Sequence, residues 1–537
     1  MQLSLPTTQY AIQLVGPGEL RLTTDKPVAK PGPYHILART EAVGLCFSDM
    51  KLLKQFDQHV RKAAVVGGIE EWILKEIPSY VPSKKPTVPG HEVVVRIVEV
   101  GERVRFYKPG ERWLLQPDFR SLKTPGSNAA AGYNFEGALQ EYVVFDERVL
   151  GDPQKDGCYM IPAPENLGSS AVALVEPWAC VENSYVSYER QKPKTGGRML
   201  VVARRGAFPE QYEFKLGRAE KTLGEDDDLT ALIDDSYDDI VYFGHDPHII
   251  EVLSDKLAKG GIINIVTGGR AIGRPVNIGV GRIHYGGTRW VGTTGNDPME
   301  SYLMIPQTGE IRARDRILIV GAGGPMGQMH VIRNLCSGLP GIGVVATDLD
   351  DSRLEALRRK VGQVAPQADF SAVNTAKEDV EGFFSYITLM APVPELLADA
   401  VRRAAPGGIV NLFAGIPAPV KHPLDLDALI EKQVFVFGTS GSETRDMRIV
   451  LQKLVEGKLD TDTSVGAVAG MAGAEAGLKA VEDRTVDGKI VVYPMLHNLP
   501  LTLLSELPEK YPTVAAKLDG GNWTPEAEKE LLSVASG

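Results

Sequence analysis

The chain has little cysteine and no long apolar run. Its four cysteines, at positions 46, 158, 180 and 336 of 537 residues, are too few and too far apart for a disulfide framework. No apolar run approaches the ~18 residues that cross a bilayer. The first residues lack the basic and apolar segments of a secretory signal. We therefore expect a cytoplasmic protein with no membrane partner.

Basic residues are also in deficit. The chain has 58 Lys and Arg against 69 Asp and Glu, a formal net charge of −11. A net acidic chain is a poor ligand for a phosphate backbone, so we expect no nucleic-acid partner.

The composition is that of a globular protein with several domains. Hydrophobic residues make up 43% and charged residues 24%, and roughly 150 residues per domain gives about three or four units. Short β-type runs broken by Gly and Pro fill residues 1 to about 150. Strand–helix alternation follows from about 165 to 445, which predicts a parallel sheet covered by helices.

The α/β part contains an internal repeat. Residues 259–265 match 406–412 at an offset of 147, and 291–295 match 437–441 at an offset of 146. Several matches in the same order indicate tandem α/β units. The entry strands at 198–203 and 316–321 also match, as do the strands at 240–243 and 387–390. From the entry strand to this next matched strand the first copy is about 29 residues shorter, which is roughly one helix–strand unit.

The second copy opens with a glycine-rich turn. A strand at 317–320 leads into Ala322-x-Gly324-x-x-Gly327, then a helix at 328–336 and a second strand that ends at Asp348. Small residues let the backbone approach a pyrophosphate at a helix N-terminus, and the acid accepts hydrogen bonds from a ribose. The pattern predicts a dinucleotide site that prefers NAD over NADP. The alternative is a turn selected only for close helix–sheet packing.

The first copy lacks that pattern. It has Arg204, Arg205 and Gly206 at the corresponding turn and, by pattern, no second strand ending in an acid. We expect no dinucleotide bound there in the usual way. The two arginines are either a phosphate site or a solvated basic turn.

Metal-ligand residue types occur in three separate motifs. Cys46 lies in Gly44-Leu-Cys-Phe-Ser-Asp49, His91 and Glu92 follow 45 and 46 residues later, and Glu176 precedes a proline. Thiolate, imidazole and carboxylate are ligands for Zn²⁺, and three protein ligands with an open position describe a catalytic site. Each residue alone also has an ordinary structural explanation.

Taken together, these motifs resemble the zinc-dependent medium-chain alcohol/polyol dehydrogenases. The resemblance covers about 1–50 and 86–190, the second α/β unit and the closing strand near 494. Its matching segments are 44–49, 89–92, 98–101, 137–142, 176–177 and 322–327. The Glu-Pro pair at 176–177 is similar to the sorbitol and threonine dehydrogenase branch, whereas Lys51, 324–327 and 347–348 are more similar to the sorbose-1-phosphate reductase type.

The resemblance implies a fold of the α/β plus β-rich class. A GroES-like zinc catalytic domain would occupy 1–190 and be completed by about 460–500. A degenerate Rossmann-like repeat would follow at 196–310 and an NAD-binding Rossmann domain at 312–445. Residues 446–537 would return to the catalytic domain and end in a helical tail.

The resemblance also implies residue roles. Cys46, His91 and Glu176 would ligate zinc, with Glu92 as a ligand or exchangeable neighbour. Ser48 would lie on a proton path and Asp49 would orient the imidazole. The implied catalytic set is Ser48, Asp49, Lys51 and Glu92, and the implied cofactor-binding set is Ala322, Gly323, Gly324, Pro325, Met326, Gly327, Asp348, Arg353 and Gly415.

The resulting hypothesis is an oxidoreductase with Zn²⁺ and NAD as cofactors. It would act, as a homodimer or homotetramer, on a secondary alcohol of a polyol, sugar or sugar derivative. One alternative is a non-catalytic NAD-binding sensor or scaffold, and another is a zinc-free enoyl-type reductase on the same fold. Neither needs the ligand residues or Ser48, so their presence favours the zinc enzyme.

Overall fold

A computed structural model describes residues 5–203 and 219–535. The chain divides into two units, Met1–Ala179 with Ser442–Gly537, and Cys180–Gly441. Among the described residues, no helix has both the length and the apolar character needed to cross a membrane.

The N-terminal part of the first unit is mainly β-structure. Its strands are β1 (Thr8–Gly16), β2 (Glu19–Pro27), β3 (His35–Gly44), β4 (Glu92–Val100), β5 (Arg112–Leu115), β6 (Asp118–Lys123), β7 (Asn128–Ala130), β8 (Tyr142–Asp146) and β9 (Met160–Pro162). Its helices are α1 (Phe47–Gln55), α2 (Glu71–Glu76), α3 (Glu147–Leu150) and α4 (Ser169–Ala173), and α5 (Val175–Val186) leads into the second unit.

The second unit alternates strands and helices. Its strands are β10 (Met199–Ala203), β11 (Lys221–Gly224), β12 (Tyr237–Phe243), β13 (Leu257–Val266), β14 (Val276–Ile278), β15 (Arg289–Thr293), β16 (Arg316–Val320), β17 (Gly343–Asp348), β18 (Asp369–Asn374), β19 (Phe384–Leu389), β20 (Ala404–Leu412), β21 (His422–Leu424) and β22 (Phe435–Phe437). Its described helices are α6 (Pro247–Lys256), α7 (Gly281–Tyr285), α8 (Pro298–Met304), α9 (Pro325–Leu335), α10 (Asp351–Val364), α11 (Pro394–Arg403) and α12 (Leu426–Glu431).

The C-terminal segment belongs to the first unit. It contains the strands β23 (Val465–Ala469), β24 (Lys489–Val492) and β25 (Thr502–Leu503). Its helices are α13 (Thr444–Val455), α14 (Met471–Asp483), α15 (Leu507–Lys510), α16 (Pro512–Ala515) and α17 (Pro525–Val534).

An eight-stranded sheet organises the first unit. Its order is β25-β23-β24-β3-β4-β5-β9, with β8 also paired to β3. Strand β24 pairs antiparallel with β3, so Val491 lies opposite Gly44. The C-terminal segment thereby completes a sheet that the first 160 residues begin.

Two parallel sheets form the second unit. The six-stranded sheet has the order β18-β17-β16-β19-β20-β22, and the five-stranded sheet has the order β11-β10-β12-β13-β15. In the six-stranded sheet the first βαβ crossover runs from β16 to β17, which places the glycine-rich turn at the carboxyl end of β16. That is the edge where open parallel sheets bind ligands.

The prediction that the first copy has no second strand ending in an acid was wrong. Strand β11 pairs parallel with β10, as β17 does with β16, and Glu225 follows it directly. The strand is only four residues long and half exposed, so no apolar pattern marks it. Among the strands that the structure describes, the one without a counterpart in the first copy is β18, the third of its copy. Arg204, Arg205 and Gly206 lie outside the described residues, so both readings of that turn stay predictions.

Two helices with a break between them, α4 and α5, lead into the second unit. Pro177 explains the interruption because it has no N–H to donate to the carbonyl of Ala173, and its ring crowds that carbonyl. The break is at Leu174, and α5 begins at the next residue, so the predicted ligand Glu176 lies in its first turn.

The C-terminal tail, for which the sequence suggested no role, caps α4. The buried carboxylate of Glu528 accepts hydrogen bonds from the Ser169 and Ser170 N–H groups at 2.5 and 2.7 Å. It also accepts from the Ser170 hydroxyl at 2.6 Å and the Tyr493 hydroxyl at 3.1 Å. A carboxylate at a helix N-terminus satisfies N–H groups that have no partner within the helix.

We predict that Glu528→Ala lowers the free energy of unfolding by about 2–4 kcal/mol, because two N–H groups and two hydroxyls lose a charged acceptor. The matched control Glu526→Ala, an exposed residue of the same helix, should change it by about 0.5 kcal/mol or less. Urea unfolding followed by circular dichroism measures both. Equal effects of the two substitutions would contradict the capping role.

Candidate functional site

Strands β3 and β4 bring three predicted metal ligands together. Cys46 follows β3, and His91 and Glu92 stand at the start of β4. The strands pair antiparallel with Gly44 opposite Glu92, so the end of one adjoins the start of the other. The ligand atoms of Cys46, His91 and Glu92 all lie within 4.8 Å of one another.

Asp49 positions the residues of this cluster through hydrogen bonds. Its buried carboxylate accepts hydrogen bonds from the Cys46 N–H at 3.1 Å and from the Gly90 N–H at 3.4 Å. It also lies 3.1 Å from His91 Nδ1. A carboxylate can only accept, so Nδ1 carries the proton and Nε2 is left with the lone pair that a metal requires. Burial opposes the charged imidazole, but Asp49 and Cys46 raise the pKa of His91 well above 6.5.

Ser48 lies beside the same two ligands. Its hydroxyl donates to Cys46 Sγ at 3.0 Å and is 3.0 Å from His91 Nε2. Tyr133, which the motifs did not mark, donates its hydroxyl to the Ser48 carbonyl at 3.3 Å. Burial raises the pKa of Tyr133, so this side chain is a neutral donor at physiological pH.

Lys489 is the second residue that the sequence analysis missed. It begins β24, and its Nζ donates to Glu92 Oε1 at 2.5 Å and to the Leu45 carbonyl at 2.6 Å. Burial opposes its charge, yet Glu92, Cys46 and Glu176 raise the pKa of Lys489. No sequence pattern could have linked Lys489 to the metal ligands, because it is 397 positions from Glu92 and only strand pairing in the sheet brings the two together.

The cluster fits a zinc ion. Glu92 is fully buried, and its Oε2 accepts no hydrogen bond from any described residue. A buried carboxylate oxygen without a donor is costly, and a cation beside it removes that cost. A thiol, an imidazole and a carboxylate are the ligand types that Zn²⁺ takes.

Two predicted residues lie outside this group. Glu176 is buried, but its carboxylate is not among the ligand atoms that lie within 4.8 Å of one another. Its charge still acts on Lys489, so it belongs to the same electrostatic environment. Lys51 is exposed on α1. Burial, followed by the charges of Arg61 and Lys51, lowers the pKa of His59 to about 4.

The charged connection at 51–86 is held by a buried lysine. Lys62 Nζ donates to the carbonyls of Val81 and, at 2.9 Å, of Lys85. Burial lowers the pKa of Lys62 to about 7. His59, three residues earlier, packs its ring 4.9 Å from the Tyr133 ring. The connection therefore borders the metal cluster through Tyr133.

The glycine-rich turn lies where a dinucleotide pyrophosphate would be bound. Helix α9 begins with Pro325 and Met326, and its N-cap is Gly324, which supplies no capping side chain. A Cβ at Gly324 would meet nothing within 4 Å, whereas one at Gly327 would lie 2.7 Å from the Ala322 Cα. The first glycine leaves room for a ligand, and the second permits close packing of helix on strand.

Asp348 ends β17 beside this turn. Its carboxylate accepts from the Gly323 N–H at 2.8 Å and from the Leu349 N–H at 2.8 Å. The backbone N–H of Arg353 donates to Asp350, which caps α10, at 3.2 Å. At Gly415, beyond β20, an added Cβ would lie 2.2 Å from the hydroxyl oxygen of Tyr285. An added Cβ at Gly323 would lie 2.8 Å from both Arg353 Cβ and Asp348 Oδ2, so these two residues converge on the turn. Gly415 lies against α7.

A family model for the alcohol dehydrogenase GroES-like domain matches residues 32–152. The uncharacterized protein YggP of Escherichia coli strain K12 is 25% identical over 316 residues, which are 48% of this chain and 71% of that protein. A sorbitol dehydrogenase sequence from Sus scrofa is 35% identical over 102 residues, which are 19% of this chain and 84% of that sequence. The chain belongs to the zinc-dependent medium-chain alcohol/polyol dehydrogenase family.

This member of the family matches other relatives over less of their length. The sorbitol dehydrogenases of Bos taurus, Ovis aries and Homo sapiens are matched over 23% of each. Among solved structures, 2R,3R-butanediol dehydrogenase from Bacillus subtilis is similar with a TM-score of 0.54 and 16% identity. That similarity covers 91% of this chain and 100% of the other. At this identity the likeness concerns the fold alone.

The site yields a test at Gly44. An added Cβ there would lie 2.1 Å from Glu92 Oε2, so we predict that Gly44→Ala displaces the carboxylate and weakens zinc binding by about 10–100-fold. Competition with a chromogenic chelator measures the affinity. Gly67→Ala, where an added Cβ meets nothing within 4 Å, is the control. Unchanged zinc affinity in Gly44→Ala would exclude Glu92 from the metal site.

Proposed function

We propose that this chain is an NAD- and zinc-dependent oxidoreductase. Its substrate would be a secondary alcohol of a polyol, a sugar or a sugar derivative, with or without a phosphate. The observation that carries the proposal is the cluster of Cys46, His91 and Glu92, in which one oxygen of the buried Glu92 carboxylate has no donor among the described residues. Family membership supports the reaction class, and the glycine-rich turn with Asp348 supports the cofactor.

Cys46, His91 and Glu92 would hold the zinc, with Glu176 as a further or exchanging ligand. Zinc bound there would act as a Lewis acid on the substrate oxygen, and bound NAD would accept a hydride. The chain's own contribution is to fix the ligands before the substrate arrives. Asp49 holds the imidazole tautomer, and Lys489 restrains the Glu92 carboxylate.

Ser48 is the residue that we propose to move a proton. Its hydroxyl is both donor and acceptor, lies 3.0 Å from two ligand atoms and is only partly buried. It can accept a proton from a substrate hydroxyl while it passes its own proton toward solvent, as general acid–base chemistry requires. The Tyr133 hydroxyl donates to the Ser48 carbonyl and so restrains the Ser48 backbone. This restraint keeps the Ser48 hydroxyl beside the cluster.

The rival hypothesis of a non-catalytic NAD sensor gives no role to Ser48 or to the unpartnered Glu92 oxygen. The zinc-free reductase gives no role to the thiol and imidazole at hydrogen-bonding distance from Ser48. NAD reduction measured over a panel of polyols, sugars and their phosphates, with metal analysis of the same sample, separates the three. The homo-oligomer expected from the resemblance is part of the proposal. Native mass spectrometry measures the oligomeric state.

We predict about one zinc per chain and its loss in Cys46→Ser, because the thiolate is replaced by a weakly coordinating hydroxyl. Two further variants, Glu92→Gln and Glu176→Gln, identify which carboxylate binds the zinc. Only the removal of a ligand should lower the zinc content by tenfold or more. Zinc per chain is measured by atomic emission, and thermal unfolding checks the fold. Cys158→Ser, a buried cysteine elsewhere in the unit, is the control. Full zinc content and activity in Cys46→Ser would contradict the proposal.

We predict that NAD is preferred over NADP by roughly tenfold or more in kcat/KM. A 2′-phosphate about 4 Å from Asp348 would meet about 4 kcal/mol of repulsion per charge pair at an effective dielectric constant of 20. Only about 1.4 kcal/mol of that is needed for a tenfold effect. Asp348→Ser should reduce the preference at least tenfold.

The control for this experiment is Glu378→Gln, which removes an exposed carboxylate beyond β18 and should leave the cofactor preference unchanged. Steady-state kinetics with both cofactors give the ratios. If the ratio of kcat/KM for NAD to that for NADP is unaltered in Asp348→Ser, this carboxylate does not recognise the ribose of the cofactor.

A further inference from the structure

The two parallel sheets of the second unit are joined through equivalent strands. The repeat offset of 146 maps β14 onto β21, residue for residue, from 276–278 to 422–424. These two strands pair with each other, antiparallel, in a separate two-stranded sheet. Each copy of the repeat therefore contacts the other with the same element.

The register of that pairing is symmetric. Val276 lies opposite Leu424, Asn277 opposite Pro423 and Ile278 opposite His422. Exchanging the two copies converts the first pair into the third and leaves the central pair unchanged. Asn277 and Pro423 therefore lie on a local two-fold axis. Self-complementary pairing about a two-fold axis is the defining property of an isologous interface.

A second pair of contacts obeys the same symmetry. An added Cβ at Gly292 would lie 2.7 Å from the Ile430 side chain, and one at Gly438 would lie 2.9 Å from the His284 Cα. The offset of 146 relates Gly292 to Gly438 and His284 to Ile430. Each copy thus presents a glycine to the equivalent helix of the other, as close approach without a side chain requires.

The interface is also apolar and continuous. Buried side chains of both copies belong to one hydrophobic cluster, among them Ile278 and Ile283 of the first and Leu424 and Ile430 of the second. Strands β15 and β22, the equivalent terminal strands of the two sheets, contact each other. Separating the copies would expose this cluster to water.

We infer that the first copy is an internal partner of the second. It occupies, within one chain, the face of the second copy that a second molecule would otherwise occupy through the same strand and helix. The face around β21 is therefore not available to another chain, and any homo-oligomer forms elsewhere. This inference is independent of the proposed chemistry, because it uses none of the metal or cofactor residues.

Introduced thiols on the symmetry axis test the inference. Asn277 and Pro423 are exposed and directly opposite, and opposed residues of antiparallel strands have Cα separations that a disulfide accommodates. The full-length double variant Asn277→Cys/Pro423→Cys should form a disulfide within one chain. Mass spectrometry and non-reducing electrophoresis should show a species with the mass of one chain. This species should have two fewer free thiols before reduction than after it.

The single variant Pro423→Cys separates the internal partner from a true dimer. In a homodimer through this face, β21 would pair with β21 of the second molecule and place two introduced thiols opposite each other on the axis. We therefore expect no covalent dimer of Pro423→Cys under the same oxidation. The parent chain controls for the four native cysteines, and thermal unfolding confirms that each variant is folded.

Two results would overturn the inference. One is a covalent dimer of either variant in greater yield than for the parent chain, which would place a second molecule at this face. The other is a folded double variant whose two introduced thiols both stay free after oxidation, which would show that β14 and β21 are not paired.

Discussion

The antiparallel pairing of β24 with β3 is the interaction on which the candidate metal site depends. Strand β3 delivers Cys46 and β4 delivers His91 and Glu92, but the charge that holds Glu92 comes from Lys489 at the start of β24. Without that lysine a fully buried carboxylate would face the thiol of Cys46 with no counter-charge, which low-dielectric surroundings make costly. The C-terminal segment is thus part of the site and does more than close a sheet.

The tail also holds the helix that precedes Glu176 in the chain. Glu528 accepts hydrogen bonds from the N-terminal N–H groups of α4, and α5, which carries Glu176, begins two residues after α4 ends. A helix end that is buried needs such partners because water cannot supply them. Residues that are more than 350 positions apart therefore fix where α4 begins.

The repeat has a physical explanation that does not require a second cofactor site. Apolar faces at β14 and α7, and at β21 and α12, cover each other about a local two-fold axis, so both copies are needed to complete one core. Among its described residues the short copy has no counterpart of β18, but it has the strand and helix of this interface. Selection on packing alone is sufficient to retain those elements, because exposing the cluster would cost hydrophobic stabilisation.

The sequence by itself determined the features that depend on short segments. The strand before Gly321, the glycine spacing of the turn and Asp348 at a strand end all lie within local patterns, and the structure has them at those positions. The family followed from the same motifs, since each combines side chains only a few positions apart.

Only the tertiary structure decided which residues meet. Lys489, Tyr133 and Glu528 belong to no motif, and they contact Glu92, Ser48 and α4 only because sheets and buried helix ends bring distant segments together.

 The separations along the chain are 397 positions for Lys489 and Glu92, 85 for Tyr133 and Ser48, and 359 for Glu528 and Ser169.

The same holds for the grouping of Glu92 with Cys46 and His91 and for the symmetric register of β14 and β21. Glu92 joins the thiol and imidazole because β3 and β4 pair in one register, and Glu176 lies outside that group. Periodicity and motif spacing report which face or turn a residue occupies, but strand register between distant segments is set by packing, which no local pattern contains.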